Sequence, residues 1–374
     1  MRCARGIWKR WVEGDIRLGV TSRKRYVFVD WLKVISMLMV VWCHLIPMRY
    51  PDLNVVKAVR EWVNTPFGLI QDFGALGVAI FYIVSGFLTA HHINNRTTLK
   101  TIANNIIKIY VQVLVAGLFC WGMVALFSQW HWTRFSEFSP VDWIKDISLW
   151  NAMTSFAAIN GPLWFMAPLL YFRIICQLMT LFPIRNSIVK IAILESLIIA
   201  NTFMGAYHGT FPVIGVLQYR IPYAGVIMIG LLIGQYTQNR ISFAHMSIMQ
   251  LVNLVGLVWG FNVFNNSEGY LISVIYAVTL FVIFKEANAI LEKSRMNCIV
   301  KQISYFSFSV YVLHAIVGNL LMDEFSNTMP EYANAAILLS IMMMFAISII
   351  YYKIIDENLV KVFNRSLSSE VLRK

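Results

Sequence analysis

The 374-residue chain has few charged residues: Asp, Glu, Lys and Arg together make up 13% of it, whereas 58% is hydrophobic. Soluble globular domains carry about a quarter charged residues, so this composition argues against that class. The sequence also lacks a Gly-rich phosphate-binding loop, an internal repeat and any His, Cys and carboxylate spacing typical of a metal site. We therefore expect neither a nucleotide-binding loop nor a bound metal.

Cysteine is scarce as well, and none of the cysteines forms a CxxC pair. There are five, and most fall inside hydrophobic runs: Cys3, Cys43, Cys120, Cys176 and Cys298. This pattern predicts free, buried, unreactive thiols rather than a disulfide framework.

Long hydrophobic runs are what the sequence has in abundance. About ten of them are long enough to cross a bilayer as helices. They are approximately 27–46, 66–90, 102–127, 161–181, 188–206, 214–236, 242–264, 270–285, 303–322 and 334–355. The sequence predicts an all-α, polytopic integral membrane protein with about ten transmembrane helices.

Lys and Arg outnumber Asp and Glu by 31 to 19, which gives a net charge of +12. Most of the basic residues fall in the N-terminal segment, alternate loops and the C-terminal tail, as the positive-inside rule requires. This distribution predicts that both termini are cytoplasmic and argues against nucleic-acid binding. Three regions follow: a basic segment at 1–26 without a signal-peptide core, a membrane domain at 27–356 and a tail at 357–374.

The first hydrophobic run carries three ionisable residues, Asp30, Lys33 and His44. At about 100° per residue, Lys33 and His44 share one helix face, roughly 16 Å apart along the axis. Ionisable groups inside a bilayer are costly and usually mark a functional site. The first helix is therefore expected to line a polar site.

Four local motifs, taken in order along the chain, resemble the membrane acyltransferase-3 family. They are Lys33 followed after ten residues by His44, FYIVSGFL at 81–88, LWF at 163–165 and SFSVYVLH at 307–314. The resemblance extends from about residue 25 to 356. This chain departs from the family where a pair of arginines three apart is usual, because it has Asn105 and Lys108 there.

The resemblance implies transfer of an acyl group, usually acetyl from acetyl-CoA, to a hydroxyl on a surface glycan or a lipid-linked sugar. The donor is a substrate that enters from the cytoplasm, no cofactor stays bound, and the enzyme sits among the lipids of the cytoplasmic (inner) membrane. Histidine suits the chemistry because it can take a proton near pH 7 or carry the acyl group itself. His44 is the candidate for either role.

Two further residues are candidate catalytic groups. Asp72 lies near the outer end of the second run and would orient His44 if the two met, but it equally suits a pair with Arg60 or a solvated interface position. His314 is either a site residue or a core histidine bonded to a backbone carbonyl.

Basic residues toward the cytoplasm are the candidates for holding the anionic donor: Lys33, Lys108, Arg96 and Lys100. Alternatively, Lys33 only neutralises Asp30, one turn away. Trp164, Arg220 and Tyr311 are the candidates for acceptor binding, although Arg220 also suits an interfacial position. The outer loop at 128–160 is rich in aromatic residues that either stack on sugars or form the ordinary interfacial belt.

Two remaining features favour structural roles. Ser85 next to Gly86 is expected to permit close helix packing rather than to supply a nucleophile. Arg173 and Glu195 could pair between the fourth and fifth helices, and such a pair would suit a structural role.

Two other function classes remain open from the sequence. A transporter or exporter of a polar glycan-related substrate would also need buried charges, although it often shows repeated halves that this sequence lacks. A non-catalytic membrane scaffold would not need His44.

Overall fold

The computed structural model describes residues 25–94, 98–154, 158–184, 186–207, 220–263 and 268–362. This part of the chain is helical and contains no strand. The ten principal helices are α1 Val27–Leu45, α2 Gly74–Thr89, α3 Leu99–Phe127, α4 Met166–Met179, α5 Ser187–Tyr207, α6 Tyr223–Thr237, α7 Phe243–Val263, α8 Glu268–Glu286, α9 Asn297–Thr328 and α10 Ala333–Tyr351.

Each predicted hydrophobic run overlaps one of these helices. Eight helical segments of the described chain are long and apolar enough to cross a membrane. The remaining two runs correspond to α5, with 21 residues, and to α6, which is apolar but has only 15. The protein is thus an all-α, polytopic membrane protein, as the composition predicts.

The predicted start of the second span at residue 66 is wrong, because α2 begins at Gly74. The three preceding residues, Gln71, Asp72 and Phe73, all have positive φ angles, of 54°, 46° and 74°. A right-handed helix cannot continue through residues in the left-handed region. The apolar stretch is therefore broken at the outer end of α2.

Short helices fill the connections. Between α1 and α2 they are Asn54–Val59 and Arg60–Asn64, between α3 and α4 they are Pro140–Ile147 and Trp150–Thr154, and a 3-10 turn, Gly161–Phe165, leads into α4. Ser139 and Asp142 form a capping box at the start of Pro140–Ile147, which satisfies free backbone amides at that end.

The closest helix packing joins α2 to α6. A side-chain carbon at Gly86 of α2 would collide with the backbone carbonyl of Ile227, and one at Gly230 of α6 would collide with the carbonyl of Ile83. The two backbones can approach this closely only because both positions are glycine. The predicted packing role of the Ser85-Gly86 pair is thereby confirmed for Gly86.

Five helices surround the interior of the protein as a ring: α1 packs on α2, α2 on α4, α4 on α3, α3 on α9, and α9 on α1. The peripheral helix α7 exposes Ile248, Leu251 and Val255, which are 62–63% accessible. These residues follow helical spacing and form an apolar face suited to lipid.

Cys43, Cys120 and Cys176 are free and buried, as predicted. Cys298 is also free, but it is exposed at the start of α9, so the expectation of burial is wrong there. Cys3 lies outside the described residues.

Candidate functional site

Two histidines from opposite ends of the sequence meet inside the ring. His44 lies one residue before the end of α1, and His314 lies in the middle of α9. Nδ1 of His44 is 3.3 Å from Nε2 of His314, and the ring centroids are 5.1 Å apart in an edge-to-face arrangement. His314 is fully buried, whereas His44 is half-buried.

Backbone carbonyls define which nitrogen of each ring carries hydrogen. Nδ1 of His314 is 2.7 Å from the carbonyl oxygen of Tyr311, and Nδ1 of His44 is 2.8 Å from that of Val40. Only a protonated nitrogen can donate to a carbonyl, so both rings carry hydrogen on Nδ1. Nε2 of His314 then faces His44 as an acceptor, and Nε2 of His44 keeps a free lone pair.

Aromatic side chains pack beside His314. Tyr311, one turn earlier on α9, has its ring 5.6 Å from that of His314 and 4.1 Å from that of Phe165. Phe81 of α2 stacks on Tyr311 at 6.0 Å. Tyr311 is 3% exposed, so it forms part of the wall behind the histidines.

Trp164 and Arg220 come together, as expected of two residues that share a site. The Arg220 guanidinium is 6.0 Å from the Trp164 ring, and Tyr223 meets the edge of that ring at 4.9 Å. Arg220 is buried rather than interfacial, with 6% of its surface exposed. A charged side chain buried inside a membrane protein costs free energy, so its presence usually marks a functional site.

Asp30 does not depend on Lys33 for a counter-charge. Its carboxylate oxygens accept one hydrogen bond from Nε of Arg25 at 2.6 Å and another from the Ser304 hydroxyl at 2.6 Å. The negative charge of Asp30 favours the charged form of Lys33. Lys33 nevertheless makes no ion pair or hydrogen bond with any residue of the described chain. Arg25 is thus the ion-pair partner of Asp30, and both roles considered for Lys33 stay predictions.

Arg173 and Glu195 do not pair as predicted. The Arg173 side chain on α4 is exposed. Glu195 of α5 is 5% exposed, and its Oε1 atom has no hydrogen-bond partner within the described residues. The two side chains have different surroundings, which periodicity within one helix cannot reveal.

The other candidate donor-binding residues lie on or before α3. Lys108 is half-buried within the helix, and Lys100 is exposed near its start. Arg96 lies outside the described residues. The structure therefore places Lys33 and Lys108 on two helices of the ring.

Asp72 is held away from His44. Its carboxylate accepts hydrogen bonds from Nε and Nη2 of Arg60 at 2.8 and 2.6 Å and from Nδ2 of Asn64 at 3.1 Å. The predicted contact between Asp72 and His44 is wrong, and the alternative pair with Arg60 is present. The position beside His44 that we assigned to a carboxylate is occupied by His314.

Sequence reasoning missed a charged cluster that fastens the outer loop. Asp323, near the C-terminal end of α9, contacts Nη2 of Arg49 at 2.6 Å and Nη2 of Arg134 at 3.3 Å. Within the loop, Asp146 accepts hydrogen bonds from the backbone of Ile159 and Asn160 at 2.9 and 3.0 Å, although burial raises the pKa of its carboxyl. These contacts hold the loop over the histidine side of the ring.

The aromatic loop divides into two groups. Phe135 and Trp143 are buried, and Trp143 stacks on Trp121 of α3. Four others are exposed: Trp130 by 68%, Trp132 by 65%, Trp150 by 48% and Phe138 by 41%. Of these described aromatic residues, only the second group is accessible to a ligand or to the membrane interface.

Asp356 is a further buried carboxylate that the sequence did not single out. It accepts hydrogen bonds from Gln112 of α3 and from Ser309 of α9. Both partners are polar and far away in the sequence, so Asp356 joins α3, α9 and the segment after α10. Over the residues that the structure describes, no three His, Cys, Asp or Glu side chains form a group suited to a metal ion.

Comparisons with known proteins agree with this arrangement. The family model Acyl_transf_3, described as an acyltransferase domain, matches residues 26–353. Searches of curated proteins and of solved structures gave no match. The matched region includes all ten helices and both histidines. The chain therefore belongs to the acyltransferase-3 family and is an integral membrane acyltransferase.

Proposed function

We propose that this protein transfers an acyl group from acyl-CoA at the cytoplasmic face of the inner membrane to a hydroxyl of a cell-surface or lipid-linked glycan. The acyl group that the proposal favours is acetyl. The observation that carries the proposal is the contact between His44 and His314. It leaves Nε2 of His44, a half-buried side chain, as an unprotonated nitrogen at the outer end of α1. A base in that position can serve an acceptor that arrives from outside.

In direct transfer, Nε2 of His44 takes the proton of the acceptor hydroxyl while the oxygen attacks the thioester carbonyl. The carbon–sulfur bond breaks, and the CoA thiolate leaves with the proton that His44 had taken. During the step His44 is a cation whose Nδ1 hydrogen is directed at the Val40 carbonyl and at Nε2 of His314. His314 and Val40 thus stabilise the charge that develops.

A two-step route uses the same atoms. Nε2 of His44 attacks the thioester carbonyl, the CoA thiolate leaves, and the acceptor hydroxyl then displaces the imidazole from the acyl group. Exposure of the protein to radiolabelled acetyl-CoA without acceptor distinguishes the routes. Label retained on the protein and lost in His44→Gln supports the two-step route, and absence of label supports direct transfer.

The two ends of the site suit the two substrates. Lys33 lies roughly 16 Å below His44 on the same face of α1, and with Lys108, Lys100 and Arg96 it would attract the phosphates of the donor. At the end of the site that holds the two histidines, the acceptor would contact Trp164, Arg220 and Tyr311. The donor's thioester arm would extend between the two ends.

The test measures transfer of labelled acetyl from acetyl-CoA in membranes that contain the protein. His44→Ala and His44→Gln should lower the rate by about 10²- to 10⁴-fold at normal expression. His245→Ala is the matched control, because His245 is an exposed histidine outside the ring, bonded only to Ser242. Substantial activity in both His44 variants would refute the mechanism. Movement of unmodified glycan without any need for acyl-CoA would favour the transporter.

A further inference from the structure

Three aromatic rings from different parts of the chain meet beside the start of α6. Trp164 lies just before α4, Tyr223 is the first residue of α6, and Tyr270 is the third residue of α8. The Tyr223 ring contacts the other two edge to face, with centroids 4.9 Å from Trp164 and 4.7 Å from Tyr270. Successive helices alternate in direction, so this aromatic cluster lies at the membrane face where α1 ends with His44.

The aromatic cluster also extends to the two histidines. Phe165, the neighbour of Trp164 in the chain, has its ring 4.1 Å from that of Tyr311. The Tyr311 ring is in turn 5.6 Å from that of His314. A ligand that packs on Trp164 is therefore held beside the rings that line the histidine pair.

A positive charge lies next to the aromatic cluster. Arg220 precedes Tyr223 by three residues, and its guanidinium carbon is 6.0 Å from the centre of the Trp164 ring. The Arg220 side chain is only 6% exposed. A guanidinium in such surroundings creates a positive potential that water screens poorly, so it favours an anionic ligand over a neutral one of the same shape.

The hydroxyl of Tyr270 is not explained by packing. Tyr270 is 4% exposed, and its hydroxyl is buried without a hydrogen-bond partner among the described residues. Phenylalanine would fill nearly the same space without burying an unbonded polar group, which is unfavourable. The hydroxyl therefore suits a hydrogen bond that forms with a ligand.

We propose that the aromatic cluster and Arg220 form a subsite for an acidic sugar of the acceptor, a hexuronic acid whose ring packs on Trp164 and whose carboxylate binds Arg220. The Tyr270 hydroxyl donates a second hydrogen bond to that carboxylate once the Tyr223 ring, which contacts both of its neighbours, turns aside. Trp164 and Tyr223 are half-buried, so they are the members that a ligand reaches first.

The charge of the subsite favours a carboxylate over a phosphate. One guanidinium matches the single negative charge of a carboxylate and binds it through two parallel hydrogen bonds. A phosphate monoester carries about two negative charges. The inference rests on the proposed function, and it adds the chemical class of the acceptor.

Equilibrium binding to the purified full chain tests the subsite with two matched probes. Methyl glucuronide is an acidic sugar, and its methyl ester has the same ring without the charge. The unmodified protein should bind the acid about ten- to a hundredfold more tightly than the ester, and Arg220→Gln should abolish that preference. Arg295→Gln is the control and should keep the preference, because Arg295 is an exposed cation in the loop before α9.

Tyr270→Phe separates a binding role from a structural one. It should weaken binding of the acid by about two- to tenfold. The unfolding temperature should stay the same or rise, since the change removes a buried, unbonded hydroxyl. Unchanged binding of the acid would overturn the role of Tyr270.

Three results would overturn the subsite as a whole: equal affinity for acid and ester, no binding of either, or a preference for the acid that survives in Arg220→Gln. Tighter binding of a phosphorylated methyl glucoside than of methyl glucuronide would overturn the choice of a carboxylate.

The binding experiment does not depend on catalysis, so His44→Gln should keep the preference for the acid. If the protein binds the acid through Arg220 but transfers acetyl to no acceptor, the subsite stands and the proposed function fails. If it transfers acetyl from acetyl-CoA but binds neither probe, the proposed function stands and the subsite is refuted.

Discussion

Nε2 of His314 lies 3.3 Å from Nδ1 of His44, and this contact joins the first long helix to the ninth. His314 is wholly buried and its other ring nitrogen donates to Tyr311. It therefore acts on the reaction through His44, which is the accessible member of the pair. We regard His314 as a positioning residue that keeps the reactive nitrogen of His44 unprotonated.

Replacement of His314 should impair turnover more than substrate binding. His314→Ala removes one acceptor from the charged form of His44, and we expect kcat to fall by about ten- to a hundredfold with small changes in KM. His314→Gln should recover part of the loss, because its amide oxygen can accept the same hydrogen. Steady-state kinetics in membranes with matched expression would measure this. Normal kcat in His314→Ala would contradict the role.

Asp72 should matter for stability and little for chemistry. Asp72→Asn removes the ion pair with Arg60 but keeps a residue that tolerates the left-handed φ angle of 46°. We expect a loss of about 0.5–1 kcal/mol and activity within about twofold of normal. Asp72→Val should cost more stability, since a β-branched residue is strained at this angle. Thermal unfolding in detergent and transfer assays give both values, and a large loss of kcat in Asp72→Asn would restore the catalytic role.

Arg25 and Lys33 should respond in opposite ways to replacement. Arg25→Ala leaves the buried Asp30 with the Ser304 hydroxyl alone, and we expect destabilisation of roughly 1–3 kcal/mol, reduced by the partial exposure of Arg25. Lys33→Ala should fold normally and need more donor for half-maximal rate. The double variant Lys33→Ala with Asp30→Asn should not regain activity. Recovery there would mean that Lys33 serves Asp30 after all.

The crossing of α2 and α6 should tolerate no added carbon. Gly86→Ala places a methyl group against the backbone carbonyl of Ile227, and overpacking of this kind costs about 1–3 kcal/mol or more. Gly122→Ala is the control, because no atom lies within 4 Å of the position its methyl would take. Thermal unfolding should show a lower transition for Gly86→Ala only. Equal unfolding temperatures for the two variants would show that α2 and α6 can move apart without loss of stability.

Thiol labelling should report the orientation of the chain. Cys298 is exposed at the inner end of α9, whereas Trp132 is 65% exposed in the outer loop. An impermeant reagent added to intact cells should label Trp132→Cys in a Cys298→Ser background and leave Cys298 of the unmodified protein untouched. The reverse result would invert the proposed direction of transfer.

The helices could be predicted from the sequence because hydrophobic runs of this length are a local signal. The polar line on α1 was also local: Asp30, Lys33 and His44 share a face whatever surrounds them. The break at 71–73 was missed although Gln71 and Asp72 are polar and Gly74 follows them, because the apolar residues on both sides made the run look continuous.

Contacts between residues far apart in the sequence could not be predicted from it. Asp30 is paired by Arg25, five residues away, but also by Ser304, 274 positions along the chain. His44 meets His314 because α1 packs against α9, and no pattern in either helix specifies that pairing. For the same reason the sequence could not show that Arg173 and Glu195, on successive helices, do not pair.

The close approach of α2 and α6 at Gly86 and Gly230 restricts how this protein can change shape. A substrate that enters the ring must displace helices, and separation of α2 from α6 would expose two facing backbones that no side chain can cover. We expect these two helices to stay together through every turnover. Admission of donor and release of product then fall to α1, α3, α4 and α9, so crosslinks between α2 and α6 should be harmless to turnover and crosslinks across the ring should stop it.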